Sequence, residues 1–130
     1  MNGPTKLRVL VVEDDTDAGA TMAIFLRHHG HEVEVAKDGP TALRIAAERL
    51  PDVALLDFGL PGGLDGCEVA RRLQEKAAGR KLLLIAVTGY GHEDDRRRSR
   101  EAGIHLHLLK PVDPGELIKL LAGFKTVIGE

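Results

Sequence analysis

The chain has 130 residues, 43% of them apolar, with 18 basic against 20 acidic side chains and one cysteine, Cys67. That length suits one ordinary domain with a single core, and that apolar share excludes wholesale disorder. The formal charge of −2 argues against a dedicated nucleic-acid binder, which carries a basic excess, and a lone cysteine excludes an internal disulfide framework.

The longest purely apolar run, 82–87, is too short to cross a bilayer, and residues 1–5 lack the apolar core of a signal peptide. One cytoplasmic domain over 1–130 is expected, with its core at about 6–123, no membrane insertion and no output domain after it.

In chain order, the first strand is predicted over 7–13. A helix follows over 16–29, with Ala18, Met22, Phe25 and Leu26 on one stripe and Gly30 as its stop. A second strand covers 32–36. Pro40 opens the next helix, where its missing N–H costs nothing, and Ala42, Leu43, Ala46, Ala47 and Leu50 form its apolar face. The third strand covers 53–57, and a helix over 67–76 carries Val69, Ala70 and Leu73. The fourth strand covers 82–88. In the helix over 93–102, Glu93, Asp94 and Asp95 precede Arg96, Arg97, Arg98 and Arg100, which suits the helix dipole. A fifth strand covers 105–109. Asp113, Pro114 and Glu116 then resemble a capping box opening a helix that carries Leu117, Ile118, Leu120 and Leu121.

The first, third and fourth strands are almost wholly aliphatic, as strands buried on both faces are. The second and fifth mix in polar residues and read as edges. The alternation gives an α/β fold, a doubly wound (βα)5 domain with a parallel sheet. The pattern alone does not give the strand order.

Parallel strands place their carboxyl ends on one edge, where open α/β folds bind ligands. Here those ends deliver Glu13, Asp14 and Asp15 after the first strand, Asp57 after the third, Thr88 after the fourth and Lys110 after the fifth. Glu13, Asp14 and Asp57 would repel one another without compensation. A divalent cation with a taste for oxygen, Mg²⁺, removes that difficulty, and Lys110 adds one positive charge. Asp57 then reads as a carboxylate nucleophile that needs no general base. Mg²⁺, Lys110 and the Thr88 hydroxyl would stabilise charge on a transferring phosphoryl group.

The segments VLVVEDD (9–15), ALLDFGLPGGLDG (54–66), AVTGYG (86–91) and LLKPVD (108–113) resemble the CheY-like receiver domains of response regulators, and those of hybrid histidine kinases in particular. The resemblance runs from about residue 7 to residue 122. It implies a five-stranded parallel sheet of order 2-1-3-4-5, flavodoxin-like. It makes Asp57 the phosphoacceptor in a two-component or phosphorelay system. Asp14 would bind Mg²⁺ directly, Glu13 through water and Gly59 through its carbonyl, with Thr88 and Lys110 on the phosphoryl group. The Lys110–Pro111 bond would be cis. Partners would be a histidine kinase or a histidine phosphotransfer domain, with the protein a monomer or weak dimer. The signal would leave through the surface of the fourth helix, fifth strand and fifth helix, with Thr88 as one switch residue.

Two positions depart from the family pattern or colour it. His107 stands where many receivers have Tyr or Phe, and is expected to act as the second switch residue, shifting outward on acidification. Tyr90, two residues after Thr88, would sit near the phosphoryl group and slow its hydrolysis. The loop GLPGGLDG is one residue longer than the commonest form.

Other features read plainly. His28, His29 and His31 lie at a helix end and suit its dipole better than a metal; Asp15 suits a helix cap, and Cys67 a packing residue. A haloacid dehalogenase-type phosphohydrolase would carry a second Asp where Gly59 stands. A flavodoxin-like cofactor binder would carry hydroxyls and glycines where this chain carries acids.

Overall fold

A computed structural model describes residues 6–57, 66–88 and 100–128, with the side chains of Thr88 and of residues 125–128 left aside. In chain order the elements are β1 (Arg8–Val12), α1 (Thr16–His28), β2 (Glu32–Ala36), α2 (Gly39–Glu48), β3 (Val53–Asp57), α3 (Gly66–Ala77), β4 (Leu83–Thr88), β5 (Leu106–Leu109) and α4 (Pro114–Ile128). The five strands form one parallel sheet in the flavodoxin-like order β2-β1-β3-β4-β5. The polar-mixed strands are indeed its edges. Of the helix expected over 93–102, only the end is described, and Arg100 and Glu101 are helical.

Side chains alternate across a strand, so each central strand serves two cores. Leu10 and Val12, Ala54 and Leu56, and Leu84 and Ala86 pack with Val69, Ala70 and Leu73 of α3 and Ala42 and Ala46 of α2. Val9 and Val11, Val53 and Leu55, Ile85 and Leu108 pack on the other face with Ala23 and Leu26 of α1 and Leu117 and Leu121 of α4. Leu73 is wholly buried. Leu73→Ala should therefore cost about 2–5 kcal/mol through lost transfer energy and the cavity left behind. A urea titration checks this, and a change under about 1 kcal/mol would mean that the site collapses around the smaller side chain.

Element boundaries moved by a residue or so, for local reasons. Leu7 and Glu13 flank β1 instead of belonging to it, although Glu32 N–H still donates to Leu7 O and Glu13 N–H to Ala36 O, each at 2.9 Å. The first helix ends at His28, with His29 as C-cap and Gly30 beyond it at φ 92°. The second begins at Gly39 because Asp38 takes the N-cap, its carboxylate accepting from Thr41 N–H at 2.8 Å. Two stripe residues were misassigned. Gly19, Ala23 and Leu26 face the core on α1, which leaves Ala18 exposed, and Ala47 is likewise exposed on α2. Asp113 caps the last helix as expected, accepting from Gly115 N–H at 2.9 Å, and Lys110–Pro111 is cis.

At the amino edge of the sheet, residues just before strands close the ladder with their side chains. His31 Nδ1 accepts Leu7 N–H at 3.3 Å, Asp52 Oδ2 accepts Arg8 N–H at 2.8 Å, and His105 Nδ1 accepts Leu84 N–H at 3.0 Å. His31 is thus a buried structural group.

Candidate functional site

The face that carries Val9 and Val11, Val53 and Leu55, and Leu106 and Leu108 continues, one step of two further along each strand, to Glu13, Asp57 and Lys110. Alternation alone therefore sends these three side chains off the same face of the sheet at its carboxyl end. Asp57 is 7% exposed, one of two buried polar or charged residues among those described. Lys110 Nζ lies 2.8 Å from Asp57 Oδ1. Carboxylate oxygens of Glu13, Asp14 and Asp57 lie within 4.8 Å of one another, the one such cluster of potential metal ligands among the described residues.

The electrostatics follow from that crowding. Burial pushes the Glu13 carboxyl up from 4.5 to about 7. The backbone N–H of Asp15 opposes the shift, while the hydrogen-bonding contact and negative charge of Asp57 add to it, and Lys110 opposes it weakly. Lys110 is held above its ordinary value, first by its hydrogen bond to Asp57 and then, against partial burial, by the charges of Asp57, Glu13 and Asp14. With one lysine among these acids, the cluster carries excess negative charge. An all-oxygen donor set of this kind fits a hard divalent cation such as Mg²⁺.

The acids open onto a cleft of about 970 Å³ between α1 and the chain around Pro111. Its far wall is apolar and includes Met22, Phe25, Leu55, Pro111 and Val112. Met22 and Phe25 lie on the apolar stripe expected of the first helix and pack against the core, but that they and Pro111 also wall this cleft was not legible from the sequence. Nor was the seating of Glu13. Asp15 N–H donates to Glu13 Oε2 at 3.2 Å, and Gly19 lies against the Glu13 stem.

Of the other expected site residues, Thr88 pairs by its backbone with Leu109 at the end of β4. Gly59 and Tyr90 lie outside the described residues. His107 is opposite Ala86 on β5, half-buried, on the face away from Leu106 and Leu108. Its Nε2 is enclosed by protein. Cys67 is buried at the start of α3, in the core.

A model of the response regulator receiver domain matches residues 9–122. An uncharacterised 14.6 kDa protein of Leptolyngbya boryana is 36% identical over 116 residues, covering 89% of this chain and 88% of that one. The response regulator PleD of Caulobacter vibrioides is 37% identical over 126 residues, covering 95% of this chain, which spans only 28% of PleD. The crystal structure of a CheY-like receiver domain protein from Methanospirillum hungatei aligns with a TM-score of 0.82 at 28% identity, covering 93% of this chain and 98% of that one. Among the described residues, no helix is long and apolar enough to cross a membrane.

Proposed function

This chain belongs to the response regulator receiver domain family, and from that membership we propose that it accepts a phosphoryl group on Asp57 and passes the signal on through its surface. The observation that carries the reading is the buried Asp57 carboxylate, 2.8 Å from Lys110 and clustered with Glu13 and Asp14. An ionised carboxylate is already a nucleophile. An Asp57 oxygen attacks phosphorus, the P–N bond of a phosphohistidine breaks, and the donor's imidazole leaves. A histidine kinase or a histidine phosphotransfer domain supplies that donor.

Glu13, Asp14 and Asp57, with the Gly59 carbonyl, would hold Mg²⁺, which when bound offsets negative charge on the phosphoryl oxygens. Lys110 holds the nucleophile by its ion pair and supplies a cation beside the transferred oxygens. The Thr88 hydroxyl would serve the same oxygens, and Tyr90 would limit the approach of water. Gly59, in place of a second Asp, speaks against a phosphohydrolase that turns over an outside substrate. The test is incubation with Mg²⁺ and acetyl phosphate, followed by mass spectrometry. One phosphoryl group on Asp57 is expected; a modification mapped elsewhere, or none, would refute the assignment.

The outgoing signal is assigned to Thr88 and His107, read out on the surface formed by the segment 93–102, β5 and α4. His107 sits on an edge strand with its ring nitrogen enclosed, and an enclosed imidazole favours its neutral form. Protonation should therefore favour the outward rotamer. NMR of His107 with and without beryllofluoride should show distinct shifts and titration curves, and identical behaviour in both states would assign the switch to other residues.

A further inference from the structure

We propose that Asp15 is a positioning residue for the metal centre, acting through Glu13 and not as a ligand. The inference rests on the reading of Glu13, Asp14 and Asp57 as a Mg²⁺ site.

Glu13 is held at three points. Its N–H donates to Ala36 O at 2.9 Å, tying it to β2. Its Oε2 accepts Asp15 N–H at 3.2 Å. Its stem lies over Gly19, where an added Cβ would come within 3.7 Å of Glu13 Cβ and Cγ and 3.0 Å of Val35 Cγ1. An added Cβ would thus meet Glu13 at ordinary contact distance, and the crowding that favours glycine here is against Val35.

The second of these points depends on the direction of one N–H. Asp15 is extended, with φ −79° and ψ 114°, as an N-cap must be. That conformation is fixed from two sides. Asp15 Oδ1 accepts Ala18 N–H at 3.0 Å, and Asp15 O accepts Gly19 N–H at 3.0 Å. One side chain thus starts the helix and aims the backbone donor of its own residue at Glu13. The Glu13 carboxylate then has Oε2 committed to the backbone, which fixes how it meets Asp57 and any cation the two share. Losing the cap frees the first turn to fray, and binding must then restore the order that the cap had supplied.

The competing explanations are direct ligation by Asp15 and a simple contribution of its negative charge. Two variants separate them. Asp15→Asn removes the charge but keeps an oxygen that caps, whereas Asp15→Ala removes both. Mg²⁺ affinity is measured for each by calorimetry in alkaline buffer, where Glu13 is ionised, with thermal unfolding alongside. Asp15→Asn should bind within about threefold of wild type, since an exposed charge contributes little in water. Asp15→Ala should bind about fivefold more weakly than Asp15→Asn, the worth of one cap. Asp15→Ser, which restores a capping oxygen, should recover most of that difference. Equal weakening in Asp15→Asn and Asp15→Ala would overturn the proposal in favour of charge or ligation. A lowered Tm in Asp15→Ala with the affinity of Asp15→Asn would reduce Asp15 to a helix cap and overturn it too. Folded wild-type protein that binds no Mg²⁺ would refute the metal reading itself, and the inference with it.

Discussion

Asp57→Asn is expected to take no phosphoryl group from acetyl phosphate or from a phosphohistidine protein, whatever the Mg²⁺ concentration. The amide nitrogen is not nucleophilic and its carbonyl oxygen carries no formal charge, so the attacking group is gone while the shape of the side chain is kept. Asp57 ends β3, paired opposite Val87 in the middle of the sheet, and its neighbours Ala54, Leu55 and Leu56 are nearly or wholly inaccessible. The variant should therefore fold. It should also lower the Glu13 pKa, because the hydrogen-bonding contact with Asp57 and the charge of Asp57 both contribute to raising it. Burial, the largest cause, remains, so the fall is partial. Mass spectrometry and an NMR titration of Glu13 read the two effects on one sample. Robust phosphorylation of the variant would remove Asp57 from the chemistry. A Glu13 pKa that did not move would mean that the two carboxylates are not in contact in solution.

Much of this arrangement is legible in the sequence because a period of two does two jobs. The alternation that buries Val9, Val11, Val53 and Leu55 on one face also carries Glu13 and Asp57 off that face. The composition of the strands told centre from edge for the same reason, since edge strands tolerate residues such as Glu32, Glu34 and His107. The order of the strands within the sheet was not legible from the pattern and came from family resemblance. A helix stripe is less sharply defined. On α1 the residues that meet the sheet are Gly19, Ala23 and Leu26, and apolar Ala18 merely borders them. Glycine at 19 gave no hydrophobic signal, yet it is buried, and an added Cβ would come within 3.0 Å of Val35 Cγ1. The seating of Glu13 on Asp15 N–H was hidden for another reason. Backbone donors leave no mark in a sequence, and only the capping preference of Asp15 hinted that α1 begins at the site.

Acid should stabilise the metal-free protein at this site while weakening its hold on Mg²⁺. In the fold Glu13 titrates at about 7, against an ordinary 4.5. Between those values the folded chain keeps a proton that the unfolded chain has released. The contribution of Glu13 to stability is therefore fully present below about 4.5 and is lost as pH rises through about 7. A Glu13→Gln variant has no such dependence. In chelator it should be more stable than wild type in alkaline buffer, with the gap closing on acidification. Metal binding has the opposite sign, because the ligand must be deprotonated. Below about 7 a proton competes with the cation, and apparent Mg²⁺ affinity should fall by up to about tenfold for each pH unit. Saturating Mg²⁺ binds only the folded state and adds stability in proportion to the logarithm of its concentration over Kd. It should therefore reverse the gap in alkaline buffer, placing wild type above Glu13→Gln. Thermal unfolding of both proteins across this pH range, with Mg²⁺ and with chelator, decides the matter. A gap that ignores pH in chelator would show that the fold, through burial and the neighbouring Asp57, does not raise the Glu13 pKa. A gap that Mg²⁺ fails to reverse would show that the Glu13 charge does not serve the cation.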